Sequence, residues 1–341
     1  MATRILLIQL RRIGDVLMTT PAVRALRQAM PDAHIDYLTE APSHQILATN
    51  PHIDEVLVWP RKGGLPGKLR MVGRLRAAHY DVMVDFFSNP TSALITRITN
   101  APRRIGFAFR VRRWAYTDAL PLPDAPYAAS HKLALLAPLG VAPGSLLPEL
   151  HVDEASRRHA GRQLADLGIG TGDFLVALSP VSRRDYRVWP ARHYARLADM
   201  LIERYAAKVL FLWGPGEQHF VDAVRQHMVH KPLPDYPVPS LMETAALLER
   251  ANLLVANNNG PRHMAIAVGT PTVGVFGRSH PESWTPPDAP RHAAVAYDPG
   301  CKDQCVYPRC GRECINDVPY PAVEAEVERF SEALLKDGTP V

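Results

Sequence analysis

Leu253-Leu254-Val255-Ala256-Asn257-Asn258-Asn259-Gly260-Pro261-Arg262-His263-Met264-Ala265-Ile266-Ala267-Val268 carries the decision about the fold. Four apolar residues run into a tight polar turn, and an apolar, helix-compatible segment follows. The stretch reads as strand, turn and helix. A helix start exposes unpaired N–H groups at the positive end of the helix dipole, which makes it a ready phosphate site. Gly260 lets backbone approach a ligand closely, and Pro261 suits a first helical turn, where no N–H is needed. Gly14-Asp15 holds the matching place after an apolar run near the start, Ile5-Leu6-Leu7-Ile8. One half of the chain is set to hold a phosphate and the other to offer a carboxylate. That pairing suits group transfer from a nucleotide donor.

The same alternation extends outward from both stretches. Strands are expected at Arg4–Gln9, Ile35–Thr39, Glu55–Trp59 and Asp81–Phe86. Val16, Thr20, Val23, Leu26 and Met30 recur at helical spacing between the first two, and Pro21 should kink that helix or mark its effective start. The Pro- and Ala-rich segment from Leu120 to Leu150 ends the first domain. Beyond it, Phe174–Leu178 reads as a buried strand. A helix begins near Pro190 with Tyr194, Leu197 and Leu201 on one face. Lys208–Trp213 is the next strand. Ser240-Leu241-Met242-Glu243 has the capping-box pattern and opens a helix through Arg250. Leu253–Ala256 and Thr272–Phe276 complete the strands. Repeated strand–helix units imply parallel sheets covered on both faces. The expected fold is α/β, with two Rossmann-like domains, residues 1–155 and 156–341, facing a central cleft where ligands bind beyond the carboxyl ends of the strands.

At 341 residues the chain is comfortable for two domains, and its 47% hydrophobic content supports ordinary globular cores. No uncharged apolar stretch has the length to span a bilayer, and the opening run is too short for a signal peptide, so a cytoplasmic protein is expected. The net charge of +5 is concentrated. Arg61, Lys62, Lys68, Arg70, Arg74 and Arg76 form one run without an acid, and Arg103, Arg104, Arg110, Arg112 and Arg113 form another. Such runs are ordinarily solvated surface. They also make a field for an anionic partner: a phosphorylated substrate or an anionic membrane surface. Aromatics interleave poorly with them and no nucleic-acid motif appears, so no nucleic-acid partner is expected.

Individual residues carry two readings each. Asp15 is a carboxylate able to take a proton from an attacking hydroxyl, or a helix cap. Arg187, in the arginine-rich loop before Pro190, can neutralise a leaving diphosphate, or is an exposed arginine beside Asp185. Glu217, after Gly214-Pro215-Gly216, can bond ribose hydroxyls or favour a helix start. Met242 can pack on a base or in a core. His263 can reach a phosphate or cap its own helix. All four cysteines fall in one late segment as Cys301, Cys305, Cys310 and Cys314. In a cytoplasmic chain this points to a thiolate site for structural zinc or iron, or else to four reduced thiols in a long loop.

With these residues in view, the chain resembles the bacterial ADP-heptose:lipopolysaccharide heptosyltransferases, glycosyltransferase family nine. The resemblance rests on Arg4–Ile8 leading to Gly14–Ala22, on Ala101–Phe107, Trp189-Pro190, Gly214–Glu217 and Asn259–Ala265. It implies a GT-B fold whose N-terminal domain receives the acceptor and whose C-terminal domain holds the nucleotide sugar. It also implies an inverting transfer of heptose from ADP-heptose to the lipopolysaccharide inner core, with no metal cofactor for catalysis. Asp15 matches the base and Arg187 a donor-contacting cation. The donor set implied is Gly14, Ser179, Arg187, Gly216, Glu217, Met242, Asn258, Asn259, Gly260, Pro261 and His263. Arg61, Lys62, Lys68 and Arg104 are the expected acceptor contacts, at the cytoplasmic face of the inner membrane. Many relatives carry Asp where this chain has Asn258, which removes a negative charge beside a diphosphate. The competing readings are a GT-B transferase with another donor or acceptor, a nucleotide-sugar epimerase, and a non-catalytic protein that has kept the fold.

Overall fold

The computed structural model describes residues 2–109, 111–301 and 304–336. The chain divides into two compact units at His151/Val152. That is four residues before the expected boundary of 155/156, which would cut into the first helix of the second unit.

The first unit runs β1 (Arg4–Ile8), α1 (Ile13–Leu17), α2 (Thr20–Ala29), β2 (His34–Glu40), β3 (Glu55–Trp59), α3 (Gly64–Ala77), β4 (Val82–Asp85), α4 (Pro90–Thr99), β5 (Arg103–Phe107), β6 (Asp118–Leu120) and α5 (Ala128–Ala134). Its six strands are parallel, in the order β3-β2-β1-β4-β5-β6. β1 is the centre because both its faces are apolar: Ile5, Leu6, Leu7 and Ile8 are fully buried. Ile5 lies opposite Ile35 of β2 and Val82 of β4. The expected kink resolves as a break. α1 stops at Leu17, and Pro21 stands in the first turn of α2, where its missing N–H costs nothing. The strand order reverses between β1 and β4, so the crevice for a ligand lies beyond their carboxyl ends.

The second unit runs α6 (Glu154–Asp166), β7 (Leu175–Ser179), α7 (Ala191–Tyr205), β8 (Lys208–Phe211), α8 (Gln218–Arg225), α9 (Leu241–Arg250), β9 (Leu253–Asn257), α10 (Gly260–Ala267), β10 (Thr272–Phe276), β11 (His292–Ala296) and α11 (Tyr320–Lys336). Its parallel sheet is ordered β11-β10-β9-β7-β8. β7, β9 and β10 are buried along their whole length. The reversal falls between β7 and β9. The capping box forms as read: Ser240 N–H donates to Glu243 Oε2 at 2.7 Å and Glu243 N–H to Ser240 Oγ at 3.3 Å. Tyr194, Leu197 and Leu201 form the buried face of α7.

Three strands escaped the pattern reading. β5 hides behind the charges of Arg103 and Arg104, β6 is a three-residue edge strand, and β11 is a half-buried edge strand whose apolar run is mostly alanine. The Pro-rich segment after Leu120 also contains α5. Arg110, in the second basic run, lies outside the described residues.

Arg262 is the least expected core residue. It is fully buried; Nη1 donates to the Trp284 carbonyl and Nη2 to Thr285 Oγ1, each at 2.9 Å. Its guanidinium lies 4.9 Å from the centroid of the Phe276 ring. β10 makes room for it at Gly274, where an added Cβ would overlap Arg262 Nε and stand 2.7 Å from Phe276 Cε2. Gly274→Ala is therefore expected to destabilise the second unit by about 1–3 kcal/mol, the usual cost of overpacking. Urea unfolding measures it, and an unchanged midpoint and slope would show that Arg262 moves aside freely.

Candidate active site

The site residues are built at the two strand-order reversals. In the first unit, Asp15 is the third residue of α1 rather than its N-cap, with Gly14 beside it. Its Oδ2 accepts the Arg12 N–H at 3.1 Å. Burial pushes its carboxyl above the ordinary carboxylate value, partly countered by the charge of Lys132. Lys132 stands on α5, within the Pro- and Ala-rich segment that ends the first unit. Its Nζ donates to the Phe86 carbonyl at 2.6 Å and reaches Gln9 Oε1 at 3.3 Å, which fixes it at the carboxyl ends of β1 and β4. Burial lowers its own pKa, and the charges of Asp15 and Asp85 oppose that. Asp85, at the end of β4, is fully buried and accepts from the Phe87 and Ser88 N–H groups and the Tyr116 hydroxyl. Burial raises its pKa too. One half-buried lysine ammonium thus sits in the field of two carboxyl groups. Sequence reasoning missed it. The only signal was a lysine on a short helix in a stretch otherwise poor in charge.

In the second unit, the strand ends splay between β7 and β9, and two asparagines fill the gap. Asn257 Oδ1 accepts from the Trp189 N–H at 3.0 Å and the Tyr194 hydroxyl at 3.1 Å. Asn259 caps α10 through the Arg262 N–H at 3.1 Å; its Nδ2 donates to Ser179 Oγ at 3.0 Å and the Val181 carbonyl at 2.9 Å. Ser179 is fully buried. Ser179 and Asn259 were expected to touch the donor directly. Their polar atoms are spent on each other and on backbone, so they hold the loop that presents Gly260 and Pro261. Asn258 differs: its Oδ1 is buried and has no hydrogen-bond partner among the described residues. An acceptor awaiting a donor suits a sugar hydroxyl better than a phosphate oxygen.

His263 lies beneath the start of α10, buried edge-on to Trp284 with centroids 5.5 Å apart. Burial, with Arg262 adding repulsion, drives its pKa down to about 3. It is a neutral imidazole at physiological pH and offers a hydrogen bond, not a charge. Its Nδ1 also lacks a hydrogen-bond partner among the described residues. Glu217 is committed in part, since Oε2 accepts the Gly214 N–H at 2.9 Å across the turn made by Gly216 at φ +80°. Met242 is half-buried in the first turn of α9. Arg187 is half-buried in a one-turn helix, its guanidinium carbon 5.6 Å from the centroid of the Tyr186 ring.

The cysteine loop packs against that turn. Tyr186 meets Tyr307 with ring centroids 4.5 Å apart, and Cys301, Cys305, Cys310 and Cys314 all line one cavity of about 230 Å³ with Tyr186, Arg278 and Tyr307. The Cys314 thiol is pushed up by burial and then by the charges of Cys301 and Cys305. Lys302 and Asp303 lie outside the described residues.

The basic runs are less uniform than they read. Arg61 comes 3.8 Å from Glu40 and Arg74 comes 2.5 Å from Glu55, so folding supplies acids the runs lack. Arg104 departs from its expected acceptor role: its guanidinium is tied to the carbonyls of Ala115 at 2.9 Å and Ala101 at 2.6 Å and straps β5 in place. Lys62 and Arg70 are exposed and Lys68 is half-buried, beside exposed Leu65 and Leu69 on α3. Val111 and Trp114 form a second exposed apolar pair next to Arg113. No helix among the described residues is long and apolar enough to cross a membrane.

Comparison with known proteins agrees with this geometry. Residues 68–311 match the model of glycosyltransferase family 9 (heptosyltransferase). The chain is 27% identical over 290 residues to lipopolysaccharide heptosyltransferase 3 of Escherichia coli K12, covering 81% of this chain and 83% of that one. The crystal structure of the glycosyl transferase family 9 protein from Veillonella parvula superposes with a TM-score of 0.87 at 26% identity, covering 97% and 98% of the two chains. ADP-heptose lps heptosyltransferase II of E. coli shares the fold, with a TM-score of 0.78 at 20% identity over 99% and 100% of the chains. The family-model match over residues 68–311, on two parallel α/β sheets of the GT-B type, makes this chain a glycosyltransferase that belongs to family 9, the heptosyltransferases.

Proposed function

We propose that this enzyme transfers heptose from ADP-heptose to the inner core of lipopolysaccharide, inverting the anomeric centre, with no metal in the chemical step. The observation that carries the reading is Asp15, a half-buried carboxylate at the first strand-order reversal whose affinity for a proton is raised by burial and tuned by one half-buried lysine. The relatives' names supply the sugar and the acceptor. ADP is held at the start of α10 through the backbone of Gly260, by Arg187 and by Glu217 on the ribose. Asn258 receives a hydroxyl. An acceptor hydroxyl attacks the anomeric carbon opposite the diphosphate. The new C–O bond forms as the bond to phosphate breaks, Asp15 takes the hydroxyl proton, and ADP leaves with the electron pair. Gly14 places Asp15 and Lys132 positions its charge.

The test is ADP release by purified protein, with ADP-heptose and other nucleotide sugars, with and without truncated lipopolysaccharide core. ADP-heptose with core should turn over fastest. A faster alternative donor, or an epimerised sugar nucleotide formed without acceptor, would overturn the assignment. Asp15→Asn should lower turnover by about two to four orders of magnitude, the usual worth of a positioned base. The acid limb of kcat/KM should lie above the ordinary Asp value of about 3.9. Removing the charge in Lys132→Met should move that limb to still higher pH, because the lysine holds the carboxylate ionised. An unmoved limb would dissociate Lys132 from the base.

The acceptor reading rests on α3, where Leu65 and Leu69 are 68% and 60% exposed among cationic side chains. That mix suits transient contact with the cytoplasmic face of the inner membrane and with phosphates on the core. Arg61→Ala, Lys62→Ala and Lys68→Ala together should weaken binding of phosphorylated core and leave ADP binding intact. The loss should shrink at high salt, since exposed charges are screened over about 8–10 Å near physiological ionic strength. Equal loss with dephosphorylated core counts against phosphate recognition.

Four thiols line one cavity but do not converge within 4.8 Å of one another, so a structural zinc or iron ion would have to draw the loop together around it, and the Tyr307–Tyr186 contact ties that loop to the turn carrying Arg187. Such an ion would order the loop and take no part in bond formation. About one equivalent of metal is expected at a four-thiolate site, lost in a Cys305→Ser, Cys310→Ser variant with a weaker hold on ADP. Elemental analysis and ADP titration measure both. Four titratable thiols and unchanged ADP affinity would leave a plain surface loop.

A further inference from the structure

Where the chain leaves the first unit, three side chains converge that none of the roles above uses. His52 stands in the loop before β3, and Glu149 and His151 flank Leu150 at the end of the unit. Their ligand atoms all lie within 4.8 Å of one another. His52 Nε2 is 3.3 Å and His151 Nε2 is 3.5 Å from the same carboxylate oxygen, Glu149 Oε1. Donors placed about 2.0–2.1 Å from a tetrahedral zinc stand roughly 3.3–3.4 Å apart, so both edges already have the required length. Glu149 Oε1 and His151 Nε2 are buried, yet neither has a hydrogen-bond partner among the described residues. The two rings meet at 80° with centroids 6.3 Å apart, so they converge on the carboxylate rather than stack.

The surroundings fix the three donors. Arg24 Nη1 holds the other carboxylate oxygen at 2.5 Å, and Arg24 Nη2 holds the Ser145 and Leu147 carbonyls at 3.0 and 3.2 Å. Thr20 Oγ1 accepts the Glu149 N–H at 2.9 Å, Thr49 Oγ1 donates to the His151 carbonyl, and Asn50 Oδ1 accepts the His52 N–H at 2.9 Å. Outer partners of this kind orient metal ligands and keep an unoccupied donor set open. Arg27 Nε donates to the His52 carbonyl at 3.3 Å, so two guanidiniums, those of Arg24 and Arg27, stand beside the three donors. The two arginines also repel a cation. The site therefore needs an ion that gains from imidazole nitrogen, not one bound by charge alone.

We propose that His52, Glu149 and His151 bind one divalent transition-metal ion, zinc before magnesium or calcium, which fastens residues 149–151 to the loop around His52. Two imidazoles and one carboxylate leave a fourth position for water.

The proposal is tested on the full chain, stripped with chelator and titrated with zinc alone. A cysteine-bound ion is counted separately by repeating the titration in Cys305→Ser, Cys310→Ser protein, which should retain the histidine-site equivalent. His52→Gln, His151→Gln should lose that equivalent and the zinc-dependent rise in melting temperature, in either background. Cobalt titration adds a spectroscopic distinction: the histidine site gives weak visible bands, and only a thiolate site adds intense near-ultraviolet charge transfer. Should the double variant misfold, carbethoxylation of His52 and His151 in the unsubstituted protein, mapped by mass spectrometry, should fall at least several-fold when zinc is present. Unchanged zinc stoichiometry in the folded double variant, or equal labelling with and without zinc, would overturn the site.

Discussion

The second unit depends on how two parallel strands part. Where β7 and β9 diverge, the ladder of backbone hydrogen bonds stops, and carbonyl groups are left inside the protein. A buried carbonyl without a donor costs about 1–3 kcal/mol. Asn259 meets this by donating to Val181 and Ser179 while its own oxygen caps α10. Asn257 fixes the start of the Trp189 segment with the same economy. Trp189 is then locked from the other side by its indole N–H to the Val318 carbonyl at 3.1 Å and by the parallel ring of Tyr320.

The first unit solves a different problem at the same topological place. Its strand ends carry charge: two carboxyl groups share the field of one half-buried ammonium, and that ammonium is held by a backbone carbonyl and a glutamine. Such a cluster is electrostatically stiff. Any change in the ionisation of Asp15 is felt by Lys132 and, through it, by Asp85. A carboxyl group placed this way has its proton affinity set by burial first and by its neighbour second, so that affinity can be altered without moving it.

Much of this was legible in the sequence, for identifiable reasons. The central strands are continuous apolar runs, and continuous runs are what a sheet covered on both faces demands. The capping box at Ser240 and the asparagine–glycine–proline turn before α10 are local chemistry, readable without tertiary context. What stayed hidden was set by partners distant in sequence. Lys132 acquires its role only when α5 brings it to Phe86 and Gln9. Arg262 reads as a surface cation until Gly274 is seen to make space for it. Ser179 and Asn259 look like ligand contacts in a motif, but a motif does not say which of its polar groups are already spent. The acid-free runs around Arg61 and Arg103 acquire acids, or carbonyl partners, only through folding.

The loop from Asn257 to His263 is made of three amides, a glycine, a proline, a fully buried arginine and an imidazole that stays neutral above about pH 3. Nothing in it changes charge across the range in which a cell lives. Its grip on whatever sits at the start of α10 is consequently set by dipoles and amide hydrogen bonds alone. The loop itself is blind to acidity. The titratable pair, Asp15 on α1 and Lys132 on α5, belongs to the first unit, so in the proposed reaction donor recognition and proton handling are set independently.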